Sequence, residues 1–99
     1  MSVGRERKDP AATETYGLDW SNDLAPGDTI SSSSWSFERA ADGIATTELT
    51  QVAATFTSTT TAIRVSGGVD GQTYYLKNSV VTANGDSLTR RLMLDIDKE

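Results

Sequence analysis

Residues 73–97, TYYLKNSVVTANGDSLTRRLMLDID, decide the fold. From Thr73 to Thr82 the chain alternates Tyr74, Leu76, Asn78 and Val80 against Tyr75, Lys77, Ser79 and Val81. From Ser87 to Asp97 it alternates Leu88, Arg90, Leu92, Leu94 and Ile96 against Thr89, Arg91, Met93, Asp95 and Asp97. A period of two belongs to a pleated strand with one buried and one wet face. Asn84-Gly85 stands between the runs, and these are the residues of a type I′ turn, whose two central positions both need positive φ. The spacing predicts an antiparallel hairpin. Its apolar face carries one anomaly, Arg90.

Working upstream, Ala62–Ser66 reads as a short strand with Ile63 and Val65 on one face, and Gly67-Gly68 with Asp70-Gly71 as a loop of unusual φ values. Tyr74, just after that loop, fits a tyrosine corner, in which the hydroxyl bonds back to the backbone upstream. Glu14–Trp20 places Tyr16, Leu18 and Trp20 on one face, Pro26-Gly27-Asp28 is a type II turn signal, and Thr29–Glu38 carries Trp35 and Phe37. Asp42-Gly43 marks a tight turn. Ile44–Thr50 and Val52–Thr57 are weaker strands, the second with Phe56 as its only large residue, and the best helix candidate is Ser36–Ala41. About seven short strands at regular turn spacing predict an all-β fold: an immunoglobulin-like antiparallel β-sandwich with an extended N-terminal arm, a small barrel being the other possibility. The domain is expected over 13–99. Residues 1–12 are expected to form a flexible charged arm, frayed or ordered against an acidic neighbour, with Arg5, Arg7 and Lys8 facing Glu6 and Asp9.

Composition narrows the function. Ninety-nine residues allow one small domain. Ser and Thr make up about a quarter of the chain, far above ordinary usage, and Thr favours strands. There is no cysteine and no histidine, so disulfides, thiolate metal sites and the usual general base are excluded. A net charge of −5 argues against a nucleic-acid footprint. No apolar run is long enough for a membrane span, and the charged N-terminus is unlike a secretory signal, so a soluble chain made in the cytosol of its producer is expected, its destination being a separate question.

Ser31–Ser34 cannot converge on one substrate, because successive strand positions face opposite ways. Asp95 and Asp97 share a face without a third orienting group. Asp19, Asp23 and Asp28 lack the spacing of a calcium loop and suit turn caps better. Gly67–Gly71 has no lysine or helix to make a phosphate cradle. Neither an enzyme nor a cofactor or metal is expected. Lys77 and Arg91 are expected outward, pairing with Asp95 or Glu48, while Arg90 either snorkels outward or marks a face covered by another subunit. Arg5, Arg7, Lys8 and Arg90 are thus the candidate partner-binding residues. Trp20, Trp35, Tyr74 and Tyr75 would form a sugar platform, as in a carbohydrate-binding or adhesin domain, only if exposed together.

Asp9-Pro10, Tyr16-Gly17-Leu18-Asp19-Trp20-Ser21, Gly27-Asp28-Thr29-Ile30 and Ser33-Ser34-Trp35, followed by Val65-Ser66-Gly67-Gly68, Gly71, Tyr74, Leu76, Asn78, Val80 and Thr82, form a specific set. In these the chain resembles small structural proteins of tailed bacteriophages and prophages, over nearly its whole length from Lys8 and least between Arg39 and Ser58. The resemblance implies an Ig-like virion protein without enzymatic activity. It favours a capsid decoration or cementing protein on the head surface, bound to the major capsid protein or neighbouring virion subunits and homo-oligomeric in the assembly. A head–tail connector or tail-associated Ig-like module is the alternative.

Overall fold

A computed structural model describes residues 4–98. It contains seven strands among them: β1 (Gly4–Lys8), β2 (Thr13–Asp19), β3 (Ile30–Arg39), β4 (Leu49–Phe56), β5 (Thr60–Gly67), β6 (Thr73–Thr82) and β7 (Ser87–Ile96). They form a four-stranded sheet, β1-β7-β6-β3, and a three-stranded sheet, β2-β5-β4. All pairs are antiparallel except β1 with β7. Two separate sheets make a sandwich rather than a closed barrel, with strand orders matching the B–E–D and C–F–G sets of the immunoglobulin architecture.

The alternation read from the sequence places the core between the sheets. Tyr16, Ile63, Val65, Tyr74, Leu76 and Leu94 pack in one cluster, and Leu18, Trp20, Ile30 and Val80 in a second. Burying such a side chain contributes about 1.5–3 kcal/mol each. The clusters are joined by a polar knot. Asn78 is fully buried; its Oδ1 accepts from Trp20 Nε1 at 3.1 Å and Thr61 Oγ1 at 2.6 Å, and its Nδ2 donates to Ser33 Oγ and the Ser34 carbonyl, both at 2.9 Å. All four hydrogen-bonding positions of the amide are filled, tying both sheets together.

Several expectations hold. Asp28 N–H donates to the Ala25 carbonyl, with Gly27 at φ 79°, as a Pro-Gly type II turn requires. Gly67, Gly68 and Gly71 all have positive φ. The Tyr74 hydroxyl accepts from Val69 N–H at 3.0 Å, which is the tyrosine corner.

Others are corrected. Ser36–Ala41 is not helical: β3 continues to Arg39, whose N–H bonds Ile44 O while Ala40 N–H bonds Thr73 O. The two weak strands are one, β4, because 40–48 instead form a turn attached to the end of β3 by the Glu38–Ala45 bridge. Asn84-Gly85 does not form a type I′ turn. No non-glycine residue has positive φ among those described; Gly85 N–H bonds Thr82 O and Thr82 N–H bonds Asp86 O. This is a three-residue loop ending on a left-handed glycine, with Ala83 N–H held by Thr29 O and Asn84 N–H by Asp28 Oδ1. The charged segment also differs from a loose arm. Residues 1–3 lie outside the described residues, whereas Gly4–Lys8 form β1, in register with Leu92–Ile96, because Arg5 and Arg7 meet Asp95 and Asp97 there.

Candidate functional site

The four candidate partner-binding residues fall at two places, and each has an internal partner. On β1, Arg5 makes a two-pronged contact with Asp95, Nε to Oδ2 at 2.6 Å and Nη2 to Oδ1 at 3.0 Å. Arg7 pairs with Asp97. Lys8 is almost wholly buried, and its ammonium donates to the carbonyls of Asp9 at 2.8 Å and Gly67 at 2.7 Å. Burial lowers the Lys8 pKa, only partly opposed by Glu14 and Asp9. The Thr73 hydroxyl holds Asp95 below the usual carboxylate range; burial works against this, and Arg5 adds to it. β1, β7 and the start of β6 are thereby latched along a shallow polar groove lined by Arg7, Gln72, Thr73, Asp95 and Asp97.

Arg90 is at the other end of β7. It snorkels, as one of the two expectations had it: its guanidinium lies 5.3 Å from the Trp20 ring centroid and donates to the Asp19 carbonyl at 2.5 Å and to Asp23 at 3.3 Å. Arg90 therefore caps the second core cluster.

The remaining sequence candidates do not converge. Asp19 Oδ1 accepts from Ser21 N–H, Asp23 pairs with Arg90, and Asp28 Oδ1 accepts from Thr29 and Asn84 N–H groups. Among the described residues no group of three acidic side chains is placed to hold a metal ion. Lys77 and Arg91 do not pair with Asp95 or Glu48. They lie opposite one another across β6 and β7, Arg91 stacks 4.4 Å from the Tyr75 ring centroid, and Glu48 takes the Tyr74 hydroxyl and Arg39. The aromatics do not make one platform. Trp20 and Tyr74 are fully buried, Trp35 packs inward on the core, and Tyr75 lies outward beneath Arg91.

One surface escaped the sequence reading. Along β4 only Leu49 is buried; Val52 is 52% and Phe56 45% exposed. The strand is an edge, and from Leu49 to Ile63 no residue carries a charge. Absence of charge over that length was the available signal.

What the geometry offers is therefore surface: an ion-paired latch, a capped sheet end and an open neutral edge. The family model described as podophage GP4 fiber-tail adaptor protein gp77 matches residues 8–95, nearly the whole described chain. The chain belongs to this family. No curated protein matches it. Membership in the gp77 family makes the protein a structural component of a phage virion, as the resemblance in its motifs implied. It does not point to the head surface, and the tail-associated alternative fits the family better than capsid decoration does.

Proposed function

We propose that the protein is a non-enzymatic adaptor in the tail of the virion, joining fibre to tail components. The observation that carries this reading is the match of residues 8–95 to a family described as fiber-tail adaptors. The fold supports it physically. A small two-sheet domain whose cavities are shallow, and whose ion pairs and cation–π contacts serve its own framework, has its outer faces left for contact with neighbours. On this reading the partners are fibre and tail subunits rather than the major capsid protein.

Cross-linking mass spectrometry on purified virions tests it. Lys77 and Lys98 are accessible to an amine-reactive linker, unlike buried Lys8. Cross-links from these lysines to tail or fibre proteins are expected. Cross-links to the major capsid protein alone would overturn the proposal.

A further inference from the structure

We propose that two copies of this chain pair through β4, antiparallel, about a two-fold axis between Val52 and Ala53. An exposed sheet edge is a row of free N–H and C=O groups ready to pair with another strand, and proteins ordinarily guard such edges with charge, proline or a covering segment. Three of the four edges are guarded. β1 carries Arg5, Glu6, Arg7 and Lys8, and β2 carries Glu14 and Asp19. β3 is held at both ends, by Ile30 N–H to Ser58 O and by Thr46 N–H to Phe37 O. β4 has neither charge nor proline.

The occupant follows from the hydrogen-bond phase. At the two ends of the β4–β5 ladder, Gly68 N–H bonds Glu48 O and Thr57 N–H bonds Thr60 O. Strict alternation from each end, with the register shift between Gln51 and Ala53, turns Thr50, Ala53 and Thr55 toward β5. It leaves the backbone groups of Leu49, Gln51, Ala54 and Phe56 on the free edge. That pattern is symmetric about Val52 and Ala53. A second β4 laid antiparallel on the first sets Leu49 opposite Phe56, Thr50 opposite Thr55 and Gln51 opposite Ala54. Every free-edge residue then meets another free-edge residue, and the opposed side chains lie on matching faces. Thr–Thr is a favourable cross-strand pair, and Leu49 against Phe56 sets apolar surface on apolar surface. The bulge at Val52 sets the axis between two residues, since about that axis an unbroken strand would put free-edge groups opposite inward-turned ones. Charge selects the same place: copies carrying −5 each repel, and this edge is neutral. The pairing is independent of what the adaptor is joined to.

Sedimentation equilibrium of the purified full chain, from about 1 μM to about 1 mM, spans the affinities a modest interface supports. The mass is expected to rise from 10.6 kDa toward twice that value. Ala54→Pro removes a free-edge N–H without taking a β5 bond, and should raise the dimer dissociation constant at least about tenfold with the far-ultraviolet spectrum unchanged. The cysteine-free chain also permits a direct test of register. In a Thr50→Cys/Thr55→Cys double variant, opposed residues of two copies would be about 4.5 Å apart at Cα, within disulfide reach, whereas within one strand they are about 16 Å apart. Oxidation is expected to give a covalent dimer from the double variant and none from Thr50→Cys alone. A chain that stays monomeric throughout the range, or a double variant that does not cross-link, overturns the proposal, whether or not Ala54→Pro folds.

Discussion

Asn78 shows what a single side chain does in a thin core. It joins Trp20, Thr61, Ser33 and Ser34 across both sheets, with every donor and acceptor used. Replacing it by Leu, close in volume, takes the acceptor from the buried Thr61 hydroxyl and leaves the Trp20 N–H only its longer bond to Thr61 Oγ1 at 3.2 Å. A loss of about 2–4 kcal/mol is expected, read from the urea midpoint; a loss below about 1 kcal/mol would show that the knot is not a stabilising unit. Gly68 acts through space instead. Its φ is +101°, and a Cβ there would lie 2.7 Å from Ile96 Cδ1. Gly68→Ala should cost about 1–3 kcal/mol and lower Tm by several degrees. These residues were legible as a motif before they were legible as a structure: the Trp20, Gly68, Tyr74 and Asn78 positions that carry the resemblance all serve the framework. A motif of this kind announces a fold more clearly than a binding site.

At the scale of elements, β6 and β7 could be read directly because apolar and polar side chains alternate with high contrast. β4 could not, for two physical reasons. Its Thr, Ala and Gln give little contrast, and the register shift at Val52 changes the phase midway, so one strand looks like two weak ones. β1 was hidden differently, since its partners Asp95 and Asp97 are 90 residues away in sequence. Its contribution depends on pH with a definite sign. Asp95 titrates below its ordinary value in the folded state, so the stability it supplies is present above the unfolded carboxylate pKa and is lost as pH falls through the lower, folded value. Asp95→Asn should flatten that acid-side fall in Tm, while leaving the neutral-pH profile parallel to wild type. An unchanged slope below about pH 4 would count against the latch. Arg5→Ala keeps the Thr73 bond and should shift the fall only partway.

For the whole molecule, the two sheets make a domain with little interior beyond its framework and four edges, of which β4 is the open one. Composition had limited the chain to one small domain without the usual catalytic side chains, and the strand pattern gave the sandwich. Location was the part that residue chemistry could not supply, because a neutral edge and a latched strand would serve on a head, neck or tail alike. Family membership carries the step to the virion, and it is what supports the tail reading proposed above. Cryo-electron microscopy of the intact virion tests the adaptor reading most directly. The account predicts density fitting this sandwich where fibres meet the tail, and density for it on the capsid shell instead would contradict the account.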